Sequence, residues 1–370
     1  MKTFTRILFL MVCMVSILMP LSGHSAGKEQ RVAMFRADPQ RIGAHVSGSA
    51  PHLTELQWKF KTEGKIVSSP VVSEGFTYFG SFDGNLYAVD SKTGHEKWRF
   101  KTGNRVASSG AVSGGVLYFG SLDGNLYAVD ALTGRERWRF ATGDWVGSSP
   151  LVADETAYFG SRNGHLYAVD ALTGQEKWRF KASGEVYSSP STVKGTIFFG
   201  SRGGYFYALD ARSGKEKWRF KTEWKVYSSP AIVNGIVYFG STDCHLYALD
   251  METGRQIWRF KTGSKVYSSP AVAGGTVYVS STDGNLYALD QRSGQQKWAF
   301  ATKKKIYSSP AVSHGMVYVG SQDGNLYGLD TETGGEKWRF APGASIASSP
   351  FIQDGTVYFG CFDGNLYALK

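Results

Sequence analysis

Cysteine is scarce in this chain of 370 residues: Cys13, Cys244 and Cys361 are all there is, and no two are adjacent. Histidine is almost as thin, with seven scattered residues, so neither a metal-ligand spacing nor a nucleophile–base pairing can be read and no Ser-His-Asp set assembles. Low-complexity sequence is also missing. With 42% hydrophobic and 14% aromatic residues and 45 glycines, the composition describes a globular chain rich in turns rather than a disordered one.

The first 26 residues are read as a secretory signal peptide. Lys2 and Arg6 precede an apolar run from Ile7 to Leu21, followed by the small residues Gly23, Ser25 and Ala26. Cleavage is expected after Ser25 or Ala26; an uncleaved membrane anchor is the alternative. Val12 before Cys13 makes a poor lipobox, so no lipid anchor and no stable membrane insertion after cleavage are expected. Removing Lys2 and Arg6 lowers the formal charge from +10 to +8, and the mature chain stays basic. Much of that charge occupies one repeated position (Lys59, Arg99, Arg139, Arg179, Arg219, Arg259, Arg339) on what read as outer strands, where it blunts edge-to-edge aggregation. Charge alone therefore does not argue for nucleic acid, and export argues against it. The expected location is the periplasm, with the cell surface or medium as alternatives.

Tryptophans stand at Trp58, Trp98, Trp138, Trp178, Trp218, Trp258, Trp298 and Trp338, 40 residues apart with no insertion between copies. Each copy holds four short β-rich stretches: A (Ser-Ser-Pro-Ala-Val), B (as Thr276 to Ser280), C (as Leu286 to Asp290) and D (as Lys297 to Phe300). Asp-Gly pairs such as Asp283-Gly284 turn B into C, a strong hairpin signal. A sheet this small exposes two apolar faces, so the copies must stack and close around an axis. The expectation is an all-β, eight-bladed propeller of four-stranded antiparallel blades over 55–370, preceded by a lead-in segment over 27–54. An orphan D strand (Leu56 to Phe60) completes a last blade that ends with only A, B and C (Ile346 to Leu369).

Ala128, Asp130, Thr133, Gly134 and Trp138 spell A-x-D-x-x-T-G-x-x-x-W, which recurs with serine at Ser213 and Ser293. In this motif the chain resembles the tryptophan-docking repeats of the pyrroloquinoline quinone (PQQ)-like propeller family over residues 56–370, and Met34 to Gly43 resembles the segment that often precedes them. The resemblance implies that all eight tryptophans are structural, each sandwiched between blades while the Asp and Thr hold the C–D turn. At ~200 Å² buried, one such ring supplies roughly 5 kcal/mol before entropy costs. The paired serines, Ser68-Ser69 through Ser348-Ser349, are expected near the axis because only small side chains fit there.

Quinoprotein alcohol dehydrogenases are the best-known relatives, and that resemblance would imply PQQ and calcium near the axis with an aspartate base. Three features of this chain depart from it. Every connection is short, where those enzymes build a chamber from long insertions, and the vicinal disulfide common over their quinone is missing. The repeated aspartates (Asp83, Asp123, Asp243, Asp283, Asp323, Asp363) fall one per blade in turns, whereas calcium needs six to eight converging oxygens. No catalytic residue, metal site or cofactor is expected. Cys244 and Cys361, about three blades apart, lie beyond the ~7 Å Cα separation a bridge tolerates and are expected to be free or to link molecules. Cys244 also replaces a turn glycine, so its backbone either changes turn type or accepts strain.

Copy-to-copy differences concentrate in the D–A connections and B–C turns, which a propeller places on one face. There the candidate partner-binding residues are Trp145, Arg162, Arg202, Tyr205, Trp224 and Lys225, forming a basic and aromatic sector, and Phe82 and Phe362, forming an apolar arc with Leu122. Neutral drift at solvated turns is the competing explanation, since the opposite C–D turns vary too. The functional expectation is an exported, monomeric, non-catalytic scaffold that binds a protein or extended chain in the cell envelope. In architecture it resembles the propeller component of the outer-membrane β-barrel assembly machinery. A PQQ-dependent dehydrogenase and a module for acidic glycan or anionic lipid are the alternatives.

Overall fold

The computed structural model describes residues 33–36, 38, 40–45 and 55–370; the expected signal peptide, its expected cleavage point and Cys13 lie outside the described residues. Eight antiparallel sheets follow one another along the chain, and all regular structure among the described residues is β. In the first blade the strands are Val71–Ser73 (A), Phe76–Gly80 (B), Asn85–Asp90 (C) and Glu96–Lys101 (D), paired in that order. Strand A is shorter than the sequence suggests. The Ser-Ser-Pro run stays outside the sheet, where proline has no N–H to give and the serines bond elsewhere.

Burial follows from stacking. Strands B and C are covered on both faces by neighbouring blades, as in Val116–Gly120, while D alternates outward-facing charge with half-buried aromatics, as in Glu96–Lys101. A bulge recurs where C meets D, so that Trp98 lies opposite Ala88 and Glu96 opposite Val89. The Trp98 indole N–H then donates to the carbonyl of Ala131 in the next blade at 3.1 Å, and the Tyr78 hydroxyl donates to the same carbonyl at 3.0 Å. Trp58, Trp138, Trp178, Trp218, Trp258 and Trp298 repeat this bond. The C–D turn beneath each ring needs glycine: Gly94 has φ +72°, and a Cβ there would fall 2.7 Å from the Trp58 indole. Asp90 Oδ1 holds the same turn by accepting from the backbone N–H (3.0 Å) and hydroxyl (3.1 Å) of Thr93.

Closure works at rim and axis together. Leu56–Lys61 pairs with Asn365–Leu369 and completes the last blade as its D strand, with Lys61 opposite Asn365. Around the axis, Ser69 N–H donates to Ser109 Oγ at 2.9 Å, and the bond repeats every 40 residues until Ser349 N–H donates to Ser69 Oγ at 3.0 Å. Small size is thus only half the reason for the second serine of each pair. It is also one link of a closed polar ring joining all eight blades.

Candidate functional site

The inner strands of a propeller leave unpaired edges toward the axis, which need partners when water is excluded. The lead-in supplies them. Ala33–Met34 pairs antiparallel with Val112 and Ala111, and the carbonyls of Gln40, Ile42 and Gly43 accept from the N–H groups of Ile232 (3.1 Å), Val272 (2.8 Å) and Val312 (2.9 Å). Between these points the chain turns at the axis through Arg36 (φ 66°) and Arg41 (φ 55°), both in the left-handed region. Their side chains are buried. Arg41 donates to the carbonyls of Pro190 (2.6 Å), Ser149 and Pro150 (both 3.1 Å), and Arg36 to those of Ser269 (3.0 Å), Pro310 (3.4 Å) and Pro270. Two guanidinium groups therefore occupy the carbonyl lining of the axis. Burial pushes both down to about 9, against an attraction from Asp38. His45, edge-on to Phe351 at 4.9 Å, is pushed down to about 4 by burial and by Arg36. The sequence named this segment but gave no sign that it threads the axis.

The D–A connections and B–C turns do share one face, since Phe82 N–H donates to Lys65 O and Thr62 N–H to Gly364 O. The turn aspartates are consumed there: Asp83 accepts from Asn85 N–H (2.9 Å), the Tyr87 hydroxyl (2.8 Å) and Glu63 N–H (3.2 Å). Arg162 stacks 4.3 Å over Trp145 and stands 3.9 Å from Asp144. Arg202 pairs with Glu185 at 2.7 Å and lies 5.9 and 5.7 Å from the rings of Tyr187 and Tyr227. Trp224 is the most exposed of the candidates at 58%, with half-buried Lys225 beside it. Tyr205 belongs elsewhere: it packs under Lys221 at 4.2 Å and Arg219 at 5.4 Å, on its own blade's outer strand.

The apolar arc is not open apolar surface. Arg105 lies 5.1 Å over Phe82 and Lys65 5.0 Å over Phe362, so cations cover both rings. Cys244 keeps the glycine turn at φ 71°, accepting strain, and Cys244 and Cys361 are both free thiols. A further set of residues went unnoticed in the sequence. Tyr187, Tyr227, Tyr267 and Tyr307 stand next to the serine pairs in four consecutive blades, with ring centroids 5.8, 5.2 and 5.5 Å apart. The signal was available: the equivalent positions in the other copies are Val67, Ala107, Gly147 and Ala347.

These features define a closed eight-bladed propeller with tryptophan-docked blades and an axis threaded by its own lead-in. A family model described as outer membrane protein assembly factor BamB matches residues 51–114 and 83–218, and one described as the β-propeller of beta-alanine-activating enzyme matches 191–370. With the docking motif, these matches support a relation to the PQQ-like β-propeller family. Among solved structures it is similar to BamB from Moraxella catarrhalis (TM-score 0.74, 18% identity, 85% of this chain and 99% of that one). It is similar also to the computationally designed Ika8 protein (TM-score 0.75, 18% identity, 84% and 98% covered) and to a europium-containing methanol dehydrogenase (TM-score 0.78, 16% identity, 91% and 91% covered). At these identities the likeness is one of fold. No curated protein matches the chain in sequence.

Proposed function

We propose that this protein is an exported, non-catalytic scaffold that docks a protein or extended chain on the face built from the D–A connections and B–C turns, in the assembly of outer-membrane proteins. The observation that carries the reading is the exposed Trp224 ring, which has no aromatic or cationic partner among the described residues, beside Lys225 and on the same face as the Trp145–Arg162 stack and the Arg202–Tyr187–Tyr227 cluster. Rigid aromatics and arginines clustered on one face are the composition of interface anchors. The family model described as an outer membrane assembly factor supports the envelope context.

Support for a scaffold without a cofactor comes from the axis. Calcium there would meet two buried guanidiniums already bonded to the lining carbonyls, and no group of three His, Cys, Asp or Glu converges among the described residues. These residues do not fit a calcium–quinone pair. The competing reading, a quinone-dependent dehydrogenase, has the likeness to methanol dehydrogenase in its favour.

A photo-crosslinking residue placed at Trp224, and in a control at Leu132 in a C–D turn, tests the docking face in intact envelopes. Adducts with outer-membrane assembly components are expected from Trp224 alone and are lost when Trp145→Ala and Arg202→Ala are added. Equal adducts from both positions, or none from Trp224, would overturn it. Calcium-dependent uptake of PQQ with dye-linked alcohol oxidation would favour the dehydrogenase instead.

A further inference from the structure

Three consecutive connections read Lys225-Val226-Tyr227, Lys265-Val266-Tyr267 and Lys305-Ile306-Tyr307. Val226, Val266 and Ile306 are fully buried, and the flanking Lys and Tyr are not. The geometry points to this Lys–Tyr arc as a binding site for the carboxylates of an acidic, extended polypeptide segment. The inference rests on the docking-face reading and names the chemistry of the partner.

The tyrosines present hydroxyls rather than ring faces. Tyr227 and Tyr267 are tilted by 45° at 5.2 Å, and Tyr267 and Tyr307 by 46° at 5.5 Å, so each ring is flanked by its neighbour. None of these hydroxyls has a hydrogen-bonding partner among the described residues. The faces that Tyr227, Tyr267 and Tyr307 turn toward one another are closed to the stacking a sugar needs. Across the mouth the equivalent positions carry only the smaller residues Val67, Ala107, Gly147 and Ala347.

The local carboxylates are engaged elsewhere. Asp283 accepts from Gly263 N–H at 2.7 Å and the Tyr287 hydroxyl at 2.8 Å, and Asp323 from Lys303 N–H at 3.1 Å and the Tyr327 hydroxyl at 2.8 Å. Asp243 does the same for Glu223 N–H at 3.1 Å and Tyr247 at 2.9 Å, and Glu223 itself turns toward Arg259 at 3.9 Å. Lys225, Lys265 and Lys305 have no ion pair among the described residues. At the end of the arc Arg202 keeps a buried Nε without a partner among the described residues, although its Nη1 binds Glu185. Donors outnumber free acceptors along three adjacent blades. Acceptors repeated along an extended chain satisfy that pattern, whereas a flat lipid surface does not reach half-buried tyrosines recessed at the mouth.

The test is binding of a fluorescein-labelled oligoglutamate peptide to the mature protein, followed by anisotropy. The wild type is expected to bind, weakening steeply with salt. The triple variant Lys225→Gln, Lys265→Gln, Lys305→Gln is expected to bind at least about tenfold more weakly, and Tyr227→Phe, Tyr267→Phe, Tyr307→Phe a few-fold more weakly with an unchanged melting temperature. No binding by the wild type, undiminished binding by the lysine variant, or preference for phosphatidylglycerol vesicles over the peptide would overturn the proposal. If the lysine variant still crosslinks its envelope partner through position 224, the arc is wrong and the docking face stands. If the peptide binds as expected but position 224 yields no adduct, the arc stands and the assembly role falls.

Discussion

Ser280 shows what a single departure from the repeat does. Seven other copies have glycine there, at Gly80, Gly120, Gly160, Gly200, Gly240, Gly320 and Gly360, because the next connection packs against it. Ser280 Oγ is buried without a partner among the described residues, and the neighbouring bond from Ile306 N–H to Ser281 O is 3.3 Å where its counterpart from Val106 to Ser81 is 3.0 Å. An unsatisfied buried hydroxyl costs about 1–3 kcal/mol, against roughly 0.5–1 kcal/mol for the added freedom of glycine in a strand. Ser280→Gly is therefore expected to stabilise the protein by about 1 kcal/mol, read as a rise in the thermal midpoint. A fall would show that the hydroxyl is bonded.

At the scale of the element, the lead-in is a strand, a turn and a return that pair with the inner edges of blades on several sides of the axis. Its acid sensitivity follows from His45. Burial first, and Arg36 second, hold the folded imidazole down to about 4, while the unfolded chain takes up a proton below the ordinary value of 6.5. The unfolded state thus binds more protons between those values. Stability is full above about pH 6.5 and is lost as pH falls toward about 4. Asp38, raised mainly by burial, titrates in the same segment, so the comparison must be with a variant. The urea midpoint of the wild type is expected to drop more between pH 7 and pH 4.5 than that of His45→Gln; parallel profiles would remove His45 as the cause.

For the whole molecule, the ring has a seam. Among the described residues, the buried hydroxyl of Tyr318, the counterpart of Tyr78, has no partner, and Trp338 lacks the carbonyl bond that the other seven repeat tryptophans make. The seam is held by strand pairing between Leu56–Lys61 and Asn365–Leu369 and by the bonds between Glu55 and Lys370. Opening is expected to begin there. Amides of Leu56–Lys61 should exchange with deuterium faster than those of Glu136–Ala141, the same strand in an internal blade; equal protection would mean that the serine ring alone sets the cooperativity.

The period of 40, the docking motif and the orphan D strand determine blade number, strand order and closure from the sequence alone, because each copy meets the same neighbour through the same local chemistry. Cys244 was legible for the same reason as a turn that either changes type or accepts strain, and its φ of 71° decides for strain. What the sequence could not decide is what happens where different copies converge. Ser69 and Ser349 are 280 residues apart, and only the closed ring makes them partners. Arg36 and Arg41 look like ordinary surface charges until curvature brings the carbonyls of Ser149, Pro190, Ser269 and Pro310 around them. Phe82 and Phe362 read as apolar until Arg105 and Lys65 are seen to cover them. Local periodicity specifies the blade; the axis and the mouth are products of eightfold closure, which no window of sequence contains.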